Sequence, residues 1–179
     1  EDDAPHAYAA IQHAIRLAPS HATEKERAFI AAMSVRYVEA YDPENRVEQD
    51  RAYADAMKVM AEQYSDDLDA VGLYGEALFL LEPRRGTRDL NDPNVQRLHS
   101  VLESVLAQDI RHPGACHLYI HATESTAEPG KAAACAEYLG TSIPGASHIN
   151  HMPSHTWNEM GRWNDGVRAN LMAWHSDQK

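Results

Sequence analysis

A phrase that comes back constrains this chain more than any other feature. Pro113-Gly114-Ala115-Cys116-His117 returns 31 residues later as Pro144-Gly145-Ala146-Ser147-His148. Ala132, small and early in a second helix, has its counterpart at Gly166, and Gly161-Arg162-Trp163 stands where the turn between paired helices belongs. A period of about 31–34 residues marks a helix–turn–helix repeat. One such pair cannot bury its apolar stripe alone. Stacked neighbours bury it, and the first helix of each pair then lines a concave face. The pattern predicts an all-α chain, a solenoid of stacked antiparallel helix pairs with about nine helices.

Helical punctuation fills in the rest. Helix formers dominate the long segments, and only two phenylalanines speak for a sheet. A first helix is expected from Ala4 to Leu17, stopping before Pro19. Thr23 and Glu26 form a capping box that opens a second helix, ending near Ala40. Asn45 with Glu48 starts a third, running to Tyr64, and Ser65 caps a fourth that ends before Pro83. The polar stretch 82–91, with Arg84, Arg85, Arg88 and Gly86, reads as the longest loop. Asp92-Pro93 opens Val95–Ala107 with a cap and a proline in the first turn. Later helices are expected over Pro113–Ser125, Pro129–Thr141, Gly145–Met160 and Trp163–Asp177.

Three stretches follow: 1–81 as degenerate helical repeats, 82–91 as a loop, and 92–179 as clearer repeats, all in one continuous solenoid. Ala7, Ala10 and Ala14 resemble the second helix of a pair that lacks its first. The opening Glu1-Asp2-Asp3 has no initiator Met, and Ser176-Asp177-Gln178-Lys179 brings no capping helix. These ends suit part of a longer protein.

The formal net charge of −11, with histidines neutral, excludes nucleic acid and anionic membrane surfaces as natural partners, because phosphate recognition needs a basic footprint. It suits a cation or a basic peptide. No apolar run approaches the roughly 18–20 residues of a membrane span. The compartment stays open between cytoplasm and export after processing. Cys116 and Cys135 form no CxxC pair and no disulfide framework. They read as small apolar residues on helices, with a bridge between adjacent antiparallel helices as the alternative.

Histidine is the chemistry-bearing residue. There are 11 in the chain, and His112, His117, His121, His148, His151 and His155 crowd one segment. His117, His121 and Glu124 fall within about 60° of one another on a helix, and His148, His151 and His155 also share a face. Imidazoles one turn apart chelate transition metals, and a carboxylate one turn on completes a two-His-one-carboxylate set. The repeat register makes these two helices neighbouring first helices. The expected ligands of Zn, Cu or Fe are therefore His117, His121, Glu124, His148, His151 and His155. Tyr119, Asn158 and Glu159 are candidates to orient the rings. Leu118 after His117 rules out HExxH. His112, before Pro113, reads as a helix cap. Pro153 falls inside the expected eighth helix and must kink or restart it. Metal-free hydrolysis by Ser154 and His155 is disfavoured, because adjacent helical residues point about 100° apart and no Gly-x-Ser-x-Gly elbow exists.

Two stretches carry a resemblance: His112-Pro-Gly-Ala-Cys-His-Leu-Tyr-Ile-His-Ala-Thr-Glu124 and His151-Met-Pro-Ser-His-Thr-Trp-Asn-Glu-Met-Gly-Arg-Trp163. With weaker similarity over 26–37, 51–64 and 73–81, the chain resembles a group of bacterial tetratricopeptide-repeat (TPR) proteins. The resemblance implies an α-solenoid, with His112, His117, His121, Glu124, His151, His155, Arg162 and Asn170 at matching positions. Cys116, where Ala, Asn or His is expected, and Gly166, where alanine is usual, depart from it. The resemblance supplies no reaction. The main reading is a metal-binding site on the concave face, with a metalloenzyme as its extension. The alternative is a metal-free scaffold that grips a protein or peptide through Trp157, Asn158, Arg162 and Asn170.

Overall fold

The computed structural model describes residues 3–83 and 86–178. Every regular element among them is helical, and none is a strand. In chain order the α-helices are α1 (Ala4–His21), α2 (Glu24–Ser34), α3 (Arg46–Gln63), α4 (Leu68–Leu80), α5 (Pro93–Gln108), α6 (Pro113–Glu124), α7 (Ala133–Ser142), α8 (Ser147–His151), α9 (Pro153–Glu159) and α10 (Trp163–Asp177). Short 3-10 turns, Pro43–Asn45 and Pro129–Ala132, lead into α3 and α7. Only Met152 separates α8 from α9. Among the described residues, no helix is long and apolar enough to cross a membrane.

The chain divides into two compact units, Glu1–Leu81 and Glu82–Lys179. In the first unit, α1 packs on α2, α2 on α3 and α3 on α4. Its core is Tyr53, Met57 and Met60 of α3 against Ala70 and Ala77 of α4, all buried. In the second unit, α5 packs on α6, α6 on α7 and α9, α7 on α8 and α9, and α10 on both α8 and α9. Leu98, Leu102, Val105, Ile120, Leu139 and Met152 are fully enclosed there. Burying such a side chain contributes about 1.5–3 kcal/mol each.

The caps explain most boundaries. Thr23 and Glu26 make the reciprocal box, with the Thr23 amide donating to Glu26 Oε2 at 2.7 Å. Asp92 Oδ1 accepts from the Asn94 amide at 2.8 Å. His112 caps α6, its Nδ1 accepting from the Ala115 amide at 3.1 Å. Three expectations need correction. The first helix runs on through Pro19 to His21, because Pro19 sits in the final turn and the chain recovers through the Ala22 amide on the Ala18 carbonyl. The second ends at Ser34, not Ala40. The cap of α4 is Asp67, not Ser65: its Oδ1 accepts from the Asp69 and Ala70 amides at 3.0 and 3.2 Å.

Pro153 restarts the helix rather than bending it. Met152 keeps right-handed helical angles (φ −50°, ψ −40°), and the His155 amide bonds back to the Met152 carbonyl at 3.2 Å. Pro153 itself is buried on α7, where a Cβ on Gly140 would lie 3.6 Å from its Cγ.

The cysteines, read above as packing residues, are joined. Cys116 of α6 and Cys135 of α7 form a disulfide with Cα atoms 4.9 Å apart, and both residues are buried. The bridge fixes α6 against α7 one residue before His117. The loop that precedes α5 adds a second brace. Arg88, itself buried, donates to the His121 carbonyl (3.0 Å) and to Ser125 Oγ (2.5 Å), and its amide bonds the Ser125 carbonyl. Arg84 and Arg85 of that loop lie outside the described residues, as do Glu1, Asp2 and Lys179.

Candidate metal centre

The second unit brings five imidazoles and one carboxylate to one place. Helix α6 supplies His117, His121 and Glu124, α8 supplies His148 and His151, and α9 supplies His155. Ring centroids run round a closed circuit: His117 to His121 is 5.1 Å, His121 to His155 5.0 Å, His155 to His151 4.7 Å, His151 to His148 6.1 Å and His148 back to His117 5.0 Å. His121 and His148 face each other across it at 6.4 Å. Rings that share a tetrahedral metal have centroids about 5 Å apart, given metal–nitrogen bonds of about 2.0–2.1 Å.

The polar contacts tie the circuit together. His117 Nε2 and His148 Nε2 are 3.1 Å apart, and His151 Nε2 and His155 Nε2 are 2.9 Å apart. Glu124 spans two helices: its Oε1 is 3.0 Å from His121 Nδ1, and its Oε2 pairs with His155 Nδ1. His151 Nδ1 lies 2.6 Å from Asn170 Oδ1. The Asn170 amide is oriented by its own Nδ2, which donates to the Gly166 carbonyl at 3.1 Å. Two sets of three have ligand atoms within 4.8 Å of one another: His117, His121 and His148, and His121, Glu124 and His155. His151 joins neither set and acts instead through His155.

These contacts suit a cation. An ionised Glu124 needs a proton on His155 Nδ1, and Asn170 Oδ1 needs one on His151 Nδ1. Neutral rings would then turn two bare Nε2 lone pairs at each other across 2.9 Å. Either a proton or a metal ion must neutralise that arrangement. The electrostatics favour deprotonated donors. Burial, then the neighbouring rings, pushes the His117 pKa down to about 4. The same causes lower that of His148. For Glu124, burial opposes ionisation, but hydrogen bonds from His121 and His155 outweigh it and hold the pKa at about 2. At neutral pH the site thus offers neutral imidazole from His117 and His148 beside a carboxylate, which is the donor chemistry of Zn, Cu, Ni and Fe.

The groups that orient the rings differ from those expected. Tyr119 turns away, donating to Glu103 Oε1 at 2.5 Å, and Asn158 and Glu159 are exposed. Asn170 and Ser154 take their place, with Ser154 Oγ 3.3 Å from His151 Nδ1. Ser154 is 2% exposed, so its hydroxyl is walled off as a nucleophile. Of the groups expected to grip a peptide, Trp157, Arg162 and Asn170 are engaged within the chain, and Asn158 is exposed. The Arg162 guanidinium lies 3.8 Å from the centroid of the Trp157 ring and its Nε donates to Asp165 at 2.8 Å. Trp157 is buried and Asn170 is held as described. His99, outside the cluster, is buried and bonded to the Ala122 carbonyl at 3.1 Å. Arg88 was not legible as a contributor, because its partners lie more than one helix further along the chain.

No family model, no curated protein and no solved structure matches this chain.

Proposed function

We propose that this chain is a TPR-like helical-repeat protein whose His/Glu face binds a transition-metal cation, Zn, Cu or Fe by donor type. One observation carries the reading: imidazoles 31 and 4 residues apart in the sequence meet nitrogen to nitrogen at 3.1 and 2.9 Å beside an ionised carboxylate. Rings cluster that way where a cation lies between them. The helical-repeat assignment is supported by the returning pentapeptide and by helices that pack on their sequence neighbours. A metal with a position open to water, beside the exposed His148, would make the site a metalloenzyme centre in which bound water serves as a nucleophile near neutral pH. The peptide-scaffold reading draws less support, since Arg162 and Asn170 already have partners inside the chain.

The test is elemental analysis after equilibrium dialysis against Zn(II), with His121→Ala and His155→Ala alongside. Stoichiometric metal that drops in both variants is expected. Metal content well below one ion per chain, unchanged by either substitution, would contradict the reading.

A further inference from the structure

Six donors are more than one ion can reach here. Two atoms bound to one ion lie at most about 4.2 Å apart, twice a metal–nitrogen bond. Five of the donors fall into two sets of three that do not merge, with only His121 in both, and His151 lies outside them. His121 is also central in space, with ring centroids of His117 and His155 at 5.1 and 5.0 Å. Its Nδ1 faces Glu124 at 3.0 Å, and its ring also offers a ligand atom to the set of His117 and His148.

We infer that the centre has two cation positions that share His121. This rests on the metal-binding reading above and specifies its stoichiometry. The first ion is bound by His117, His148 and His121. The second is bound by Glu124, His155 and His121, and takes the place of the two protons now between the carboxylate and the rings. With both nitrogens of His121 coordinated, the ring bridges the ions as imidazolate and its N–H proton passes to solvent. His155, bound through Nδ1, likewise gives its Nδ1 proton to solvent, keeps its remaining proton on Nε2 and donates it to His151 Nε2 across the existing 2.9 Å. His151 in turn donates from Nδ1 to Asn170 Oδ1. His151 and Asn170 are then positioning residues that support the second ion from outside, a usual arrangement for a metal-bound imidazole. Each polar group in the cluster thereby has one role, and no pair of bare lone pairs is left facing.

Equilibrium dialysis with Zn(II) and elemental analysis read the stoichiometry directly, and Cu(II) loading with electron paramagnetic resonance reads the coupling. Wild type should bind two ions and give a spin-coupled Cu(II) spectrum. His148→Ala should lose one ion and leave an isolated Cu(II) signal. His155→Ala and Glu124→Gln should each lose the other ion. Helical circular dichroism controls for folding, and the wild-type stoichiometry needs no variant. Saturation at one ion, lowered in affinity by substitutions in both sets, would overturn the two-position inference and leave the metal-binding reading intact. No stoichiometric metal in wild type would remove both.

Discussion

His117 Nε2 meets His148 Nε2 at 3.1 Å, and the two residues end the two copies of the returning phrase, 31 positions apart. The two rings stand edge to face, with centroids 5.0 Å apart. His148 is exposed, so its removal leaves no cavity. His148→Ala is expected to weaken Zn(II) binding at least about tenfold, as loss of a ligand or its support does, while stability stays within about 0.5 kcal/mol. Calorimetric titration and thermal melting check the two halves of that statement.

Asn170 acts on the candidate site without being one of its donors. Its Oδ1 fixes the His151 ring, and its Nδ2 is anchored on the Gly166 carbonyl. Asn170→Ala should lower metal affinity by about 10–100-fold with unchanged stoichiometry. Nitrogen-15 chemical shifts of the imidazoles should report a changed His151 tautomer.

The metal-free protein should lose stability on mild acidification. The folded-state pKa of His117, about 4, lies below the ordinary value near 6.5. Between those values the unfolded chain holds more protons, so stability rises with pH and is lost as pH falls from about 6.5 towards 4. Glu124, held at about 2, adds stability above the ordinary glutamate value near 4.3 and loses it as pH falls towards 2. Denaturant melts from pH 7 to 3 should show a decline that begins near 6.5. His117→Asn should flatten its first part.

Reduction of the Cys116–Cys135 bridge, which closes a sequence separation of 19, is expected to cost about 3 kcal/mol on the chain-entropy model. Denaturant melts with and without a strong reductant, and of Cys116→Ala/Cys135→Ala, measure it. Metal affinity should fall as well, because the bridge holds α6 at the residue before His117.

The helical architecture was legible wherever the signal was local. Thr23, Asp92 and His112 cap helices through their own neighbours, and Gly161, with φ +72°, marks the turn before α10. Sequence reasoning failed where a distant contact decides. The second helix ends at Ser34 although no breaker follows. There Arg36 is drawn onto Glu76 at 3.1 Å and over the Tyr53 ring at 4.9 Å, both from later helices. Asp67 displaced Ser65 as a cap because its carboxylate reaches two amides. The histidine set could be read from helical spacing and repeat register. The disulfide, Arg88, and the roles of Asn170 and Ser154 could not, because each depends on how helices that are separate in sequence come together.

Gly166 shows the same limit from the other side. A Cβ there would lie 2.7 Å from Asn158 Oδ1, the end of an exposed side chain that is free to turn. Gly166→Ala is expected to stabilise by up to about 1 kcal/mol through helix propensity, read by denaturant melts.

X-ray absorption at the zinc edge of the Zn(II)-loaded protein reads the coordination shell itself. Nitrogen and oxygen donors at about 2.0–2.1 Å are expected, with the multiple scattering that imidazole rings produce. An oxygen-only shell without imidazole scattering would contradict the metal-binding reading.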